Sequence, residues 1–422
     1  MALQPRPTPS LLILALIPVA GTLIIRPLLT PLSMGTLHAS FGFAILAFVA
    51  AIVIIPAVGD DFIKVGLKGR DLLKLRGGDI LSSCDCRPES MGLICASVYI
   101  LLLIHFIPFA FSSFLLHPPV EEGLAGVEFS LAQLSVYLSA ILSLLIATLL
   151  GFIDDLFDIR WRHKLPIPLI AAIPLLLVYY AENGGTSVVI PKPFRQIFGN
   201  MDLCTIFIYV IGARWTWTLG GVYAAGLSYG SKELVERHLL SLYFMLPLIG
   251  VCLGFMYHNW YPARAFPGDT LCYFSGMAFA VVGIQGHFSK TLLLFFIPQI
   301  FNFVLSCPQL FGLVPCPRHR LPKFEQSTML LRPSVTEYPH PPSKLTVLTL
   351  RVLSGLRLTR LVIQEKTNII MTSTNLTILN FLLFNLEDLG IRLGEQGLIF
   401  CSILAFGIRY GLAGLVYDGD RR

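Results

Sequence analysis

The sequence predicts an all-α, polytopic transmembrane helix bundle of about nine or ten helices with its functional loops on the cytoplasmic face. Three observations carry that expectation. Of 422 residues, 55% are hydrophobic and 13% charged, against about a quarter charged in typical soluble domains, and the mean hydropathy is +0.73. Apolar runs of roughly 20 residues, each enough to cross a bilayer, recur along the chain. The charges are gathered into a few loops, where they set an orientation.

In chain order, the candidate spans are 10–30 (interrupted by Pro18 and Arg26), 38–56, 91–115, 134–152, 165–180, 202–213, 239–257, 270–286, 289–306 and 395–415. The segment 213–230 is apolar and aromatic but carries Arg214, and it stays unassigned. The loop 60–90 (Lys64, Lys68, Arg70, Lys74, Arg76, Arg87), the central loop (Arg160, Arg162, Lys164) and the long loop 307–394 are basic, whereas 116–130 holds Glu121, Glu122 and Glu128 with no Lys or Arg. The positive-inside rule makes the basic loops cytoplasmic and the acidic one exoplasmic. The net charge of +6 then suits anionic headgroups rather than nucleic acid. Nine cysteines are scattered through apolar runs with no disulfide framework, and Cys84 and Cys86 lack a second pair for zinc. The N-terminal apolar run has no clear cleavage site and reads as a retained helix or anchor. The division follows: 1–36 is an extension with an extra apolar segment, 37–422 a membrane domain, within which 307–394 is a long basic cytoplasmic loop and 395–415 the last span.

Four polar clusters fall at that cytoplasmic edge. The first is Gly69-Arg70-Asp71-Leu72, continued by Arg87-Pro88-Glu89-Ser90-Met91-Gly92. The second, between two spans, is Gly151–Lys164, with Asp154, Asp155 and Asp158 beside four basic side chains. The third is Tyr257–Thr270, rich in aromatics such as Phe266 and ending on Gly268-Asp269-Thr270. The fourth is Pro315–Pro322, where prolines hold Arg318, His319 and Arg320 in an extended loop. Carboxylates beside cations at a membrane edge are expensive and mark function. Mg²⁺ takes one or two carboxylates plus phosphate oxygens, so these clusters suit a Mg²⁺–diphosphate site whose aromatics stack a base or sugar. Each cluster also has a plainer reading: an ion-pair loop, a headgroup anchor, belt aromatics, or a satisfied boundary histidine at His258. Four together favour the phosphate site.

The residues also resemble a known family. Gly151–Lys164, Val189–Arg195, Ser241–Met245, Tyr257–Thr270, Gly286–Phe296 and Pro315–Pro322 are similar to the polyprenyl-phosphate N-acetylhexosamine-1-phosphate transferase superfamily, nearest its eukaryotic members that act on dolichyl phosphate. The resemblance covers roughly 40–75, 88–212, 239–322 and the final helix. It implies transfer of N-acetylglucosamine-1-phosphate from UDP-N-acetylglucosamine to dolichyl phosphate with release of UMP, dependent on Mg²⁺. It also implies an endoplasmic reticulum membrane protein with its site facing the cytosol. A homodimer is compatible with this reading, and the sequence leaves the oligomeric state open. By the same resemblance Arg70, Asp71 and Leu72 lie at the uridine, and Glu89 and Phe266 bind the sugar nucleotide. Asp154 and Asp155 are the catalytic acidic pair, Lys164 meets phosphate, Asp269 ligates the metal, and Arg318, His319 and Arg320 bind the diphosphate and the sugar.

The resemblance breaks between Ile211 and Glu236. There the family has an Asn-rich loop carrying a second metal ligand, followed by a further helix; here 212–233 contains no asparagine. Leu75–Cys86 is an insert, and Pro267 replaces a small apolar residue. Span counting meets the same break: forward from the Asp154 loop, 165–180, 202–213 and 239–257 put Asp269 on the exoplasmic side, whereas backward from the basic loop at 307 it is cytoplasmic. A helix is missing, or 213–230 crosses as well. An inactive, transferase-like membrane protein lacking the Asn loop is therefore the alternative reading. A nucleotide-sugar transporter is a third, disfavoured because the polar groups sit at loop ends on one face.

Overall fold

A computed structural model of the chain describes residues 9–29, 35–69, 86–111, 131–157, 159, 161–164, 166–181, 232–260, 263–286, 296–317, 320, 322–325, 328, 330–338, 342–363 and 371–391. The candidate spans 202–213 and 395–415, and the segment 213–230, lie outside these residues. The chain divides into two compact units, residues 1–70 with 82–293 and residues 71–81 with 294–422.

The first unit is the helical membrane bundle. Its helices are α1 (Ser10–Leu29), α2 (Gly35–Val65), α3 (Gly92–Ala110), α4 (Leu131–Phe157), the single turn α5 (Trp161–Lys164), α6 (Ile167–Ala181), α7 (Lys232–Asn259) and α8 (Gly268–Gln285). Five of the described helices, α1, α2, α3, α4 and α7, are long and apolar enough to cross a membrane, and α6 is a shorter apolar helix. Prolines do not stop them: Pro18 and Pro27 lie inside α1, Pro56 inside α2 and Pro247 inside α7. In lipid, leaving the helix would expose more unpaired backbone than the one bond a proline removes. At 31 residues α2 is about 46 Å long, more than the roughly 30 Å of hydrocarbon. Its last turns carry an exposed pair, Lys64 Nζ to Asp61 Oδ1 at 2.7 Å.

Packing in this unit rests on small residues and aromatics. A Cβ on Gly254 would lie 2.7 Å from both the Ala51 Cβ and the Phe48 carbonyl oxygen, so α7 approaches α2 almost backbone to backbone, the usual way of packing helices in lipid. Around this seam Tyr99, Phe106, Tyr137, Tyr243 and Phe244 are fully enclosed. Their hydroxyls stay satisfied: Tyr99 donates to the Phe244 carbonyl at 3.0 Å, Tyr137 to that of Leu103 at 2.9 Å, and Tyr243 to Thr36 Oγ1 at 2.6 Å.

Pairings along the helices give their sense. Thr36 meets Tyr243 and Ile52 meets His258, so α2 and α7 run the same way. Ser143 meets Leu175, and Val136 meets Gln285, so α6 and α8 both oppose α4. The C-termini of α2, α4 and α7 and the N-termini of α3, α6 and α8 therefore gather at one end. This corrects the forward span count that put Asp269 on the opposite side from Asp154.

The second unit holds α9 (Ile297–Leu310), α10 (Lys344–Gly355) and α11 (Ile378–Asp388), a hairpin of β3 (Lys323–Glu325) with β4 (Leu330–Arg332), and a three-stranded antiparallel sheet. That sheet is ordered β5 (Val335–Tyr338), β7 (Met371–Thr374), β6 (Leu361–Ile363). The stretch 307–394, expected as a long basic loop, thus carries folded structure. Its strands are only three or four residues long, too short for their alternation to stand out. Asn375 of the Asn-Leu-Thr sequon is buried, donating to Ser334 Oγ at 2.8 Å and accepting from Gln309 Nε2 at 2.9 Å. It is a structural residue rather than a glycosylation acceptor.

Candidate active site

The gathered helix ends place three of the four sequence clusters together. Two short strands, β1 (Lys68–Gly69) and β2 (Arg87–Pro88), pair antiparallel beyond the end of α2. The turn that follows β2 is tied to the turn that precedes α8. Phe266 N donates to the Pro88 carbonyl at 2.9 Å, Met91 N to that of Phe266 at 3.1 Å, and Gly92 N to that of Pro267 at 2.9 Å. Both turns need the left-handed region, at Ser90 (φ 62) and Gly268 (φ 68). A glycine is required at 268, because a Cβ there would collide with the Asp155 carboxylate and lie 2.8 Å from Ser90 Cα. Ser90 carries a side chain in that same conformation and is buried, so the surrounding bonds hold it there.

This framework fixes the acidic groups. Asp154 and Asp155 sit in the last turn of α4, and Asp269 in the first turn of α8. The Lys164 ammonium lies between two of them, 2.9 Å from Asp154 Oδ2 and 2.8 Å from Asp269 Oδ2. The Asp154 side chain is wholly enclosed, while that of Asp269 is about one-third exposed. Asp154 Oδ1 also accepts from Ile159 N at 3.1 Å, which folds the chain back after α4.

Asp155 faces the other way. Its Oδ1 accepts from Asp269 N at 2.5 Å, and its Oδ2 accepts from Thr270 N at 3.2 Å and from the Thr270 hydroxyl at 2.5 Å. It closes the N-terminus of α8, where backbone donors lack intrahelical partners and a negative charge is favoured.

Among the described residues, charge at the site is predominantly negative. Burial, followed by the Asp155 and Asp269 carboxylates, pushes the Glu89 carboxyl above its ordinary value. Burial would lower Lys164, but hydrogen bonding and charge from Asp269 and Asp154 outweigh it and hold the ammonium above its usual range. The donors are all hard oxygens. Among the described residues no three His, Cys, Asp or Glu side chains group tightly enough to hold a metal by themselves. A hard cation that completes its shell with phosphate oxygens and water fits such a set.

Of the residues singled out in the sequence, Glu89, Asp154, Asp155, Lys164, Phe266 and Asp269 come together here. The Phe266 ring and the Glu89 carboxyl flank Gly69, with Phe266 Cδ2 2.9 Å and Glu89 Oε2 3.2 Å from where a Cβ on Gly69 would sit. Arg70, Asp71, Leu72, Arg318 and His319 lie outside the described residues. Arg320 belongs to the second unit, where its carbonyl accepts from Ser334 Oγ at 3.0 Å and from Asn380 Nδ2 at 2.8 Å. His258 takes the plainer reading, its Nε2 3.0 Å from the Ile52 carbonyl inside the bundle. Thr270 was not foreseen as a site residue, because the acceptor of its hydroxyl, Asp155, lies on another helix 115 residues away in sequence.

A model of the glycosyl transferase family 4 matches residues 137–287. The chain is 42% identical to the UDP-N-acetylglucosamine–dolichyl-phosphate N-acetylglucosaminephosphotransferase of Schizosaccharomyces pombe, over 91% of this chain and 94% of the relative. It is 41% identical to the Saccharomyces cerevisiae protein of that name, over 82% and 84%, and 36% identical to that of Dictyostelium discoideum, over 88% and 87%.

Proposed function

Since the chain belongs to the family of UDP-N-acetylglucosamine–dolichyl-phosphate N-acetylglucosaminephosphotransferases, we propose that it transfers N-acetylglucosamine-1-phosphate from the nucleotide sugar to dolichyl phosphate. A phosphate oxygen of the lipid attacks the β-phosphorus, the bond to the bridging oxygen breaks, and UMP leaves. The observation that carries this reading is Lys164, an ammonium held between Asp154 and Asp269 at 2.9 and 2.8 Å. A diphosphate entering beside it exchanges carboxylate oxygens for phosphate oxygens around the same cation.

Phosphoryl transfer needs positioning and charge neutralisation more than covalent help from the protein. Lys164 neutralises a phosphate oxygen. Asp154, enclosed and hydrogen-bonded to Ile159, orients Lys164. Asp155 fixes the start of α8 and with it Asp269. Glu89 and Phe266 line the sugar-nucleotide side. Mg²⁺ suits this donor set, with Asp269, the more exposed carboxylate, as its protein ligand; bound there, it would neutralise charge developing on the diphosphate. The cytosolic face of the endoplasmic reticulum, where basic loops belong, is the proposed location.

The test is to express the 422-residue chain in a membrane and follow UMP release from UDP-N-acetylglucosamine with dolichyl phosphate, with and without Mg²⁺. Turnover that needs both substrates and the metal is the expected result. Lys164→Met should reduce it by roughly two orders of magnitude or more, the scale of losing a preorganised charge at a transferring phosphoryl group. An intact, folded chain with no turnover would overturn the activity, and unchanged turnover in Lys164→Met would overturn the site.

A further inference from the structure

The second unit carries a helix face with no protein partner among the described residues. Helix α10 is anchored by one side only. Leu350 is fully buried in a cluster with Val314 and Tyr338, against which Leu361 packs, and the Thr346 hydroxyl donates to the Leu313 carbonyl at 2.7 Å. On the outer side Leu345, Leu348, Val352 and Leu356 are 57%, 60%, 55% and 64% exposed. At 100° per residue these four fall within an arc of about 80°, so they form one stripe rather than scattered surface residues. Leu313, next to the start of that stripe, is also exposed.

The stripe has a border of one sign. Lys344 and Arg351 lie along one edge of it and Arg357 just past its end, all three exposed. From residue 338 to 364 the sequence holds four Lys and Arg residues, the fourth being Arg360, and no Asp or Glu. Arg360 is engaged with Glu387 and Asp388; the other three stand beside the apolar stripe. Four exposed leucine and valine side chains in water are unfavourable by their transfer free energy, and a partner protein with an acidic rim would need to be supplied from elsewhere. An apolar phase edged by negative charge is already at hand for a chain with five membrane-length helices among its described residues.

We infer that α10 lies in the membrane interface, with Leu345, Leu348, Val352 and Leu356 among the acyl chains and Lys344, Arg351 and Arg357 on anionic headgroups. This is the pattern of an in-plane amphipathic helix, with an apolar face in the acyl boundary and basic side chains reaching up to the phosphates. Such docking attaches the unit that carries the Pro315–Pro322 cluster to the membrane surface. It depends on the membrane character of the chain and is independent of its catalytic activity.

The experiment places an environment-sensitive fluorescent amino acid at Leu348 of the full chain. The protein is reconstituted in phosphatidylcholine vesicles with and without phosphatidylserine, and the acyl chains are plain or brominated. The expected result is blue-shifted emission, quenched several-fold by brominated acyl chains and more strongly with phosphatidylserine. That last increment should be lost when Lys344→Glu and Arg351→Glu are combined. Water-like emission in every vesicle would overturn the inference. So would blue-shifted emission that brominated lipid does not quench, because the stripe would then be covered by protein.

Discussion

At the site, two neighbouring aspartates in one helical turn face different partners and take different tasks. Asp154 pairs with Lys164, whereas Asp155 spends both oxygens on the backbone and side chain at the start of α8. Thr270 is the partner that makes this hold specific. Thr270→Val removes one hydrogen bond to a charged acceptor, worth about 1.5–3 kcal/mol. We expect kcat to fall about 10-fold or more with little change in KM, and Thr270→Ser to restore it; equal loss in both variants would refute the assignment. Glu89 gives a prediction with a definite sign. Its folded pKa lies above the unfolded value, so its contribution to stability is full at acidic pH, below the unfolded value, and is lost as pH rises through the folded one. Glu89→Gln should therefore raise the melting temperature at neutral pH in chelator and leave it nearly unchanged near the acid end. A uniform shift at all pH values would mean that the charge is not the cause.

Among the elements, the closest seam is that between α2 and α7. Gly254 fits where a methyl group would strike both Ala51 and the Phe48 carbonyl, and overpacking of this kind typically costs about 1–3 kcal/mol. Gly254→Ala should lower the thermal midpoint of the detergent-solubilised protein by several degrees. Gly21→Ala in α1, where nothing lies within 4 Å, is the control and should be neutral. The membrane-length helices were legible from apolar run length alone: the α4 and α7 runs fall at 134–152 and 239–257, and the structure extends them to Leu131–Phe157 and Lys232–Asn259. The C-terminal extension of α4 carries Asp154 and Asp155, the polar turn of the site that hydropathy trims away. The strands at 323–374 were not legible, because a three-residue strand has too few alternations to signal itself.

Across the molecule, direction is what decides the site. The α4 C-terminus and the α8 N-terminus share one end, so Ala181 at the end of α6 and Lys232 at the start of α7 both belong to the opposite one. In a cysteine-free background, Ala181→Cys and Glu233→Cys should label with a membrane-impermeant reagent from one side of the membrane, and Gly66→Cys from the other. Labelling of the first two from opposite sides would break the arrangement. The sequence by itself determined the membrane class, most helix positions, the family, and the residue types gathered at the site, because each is written in local composition or in contiguous motifs. Only the tertiary structure decided that Asp269 lies 2.8 Å from Lys164, 105 residues away in sequence, and that Asp155 caps α8 rather than sharing Lys164 with Asp154. Those facts depend on helix direction and on which oxygen faces which donor, and neither is encoded in hydropathy or spacing.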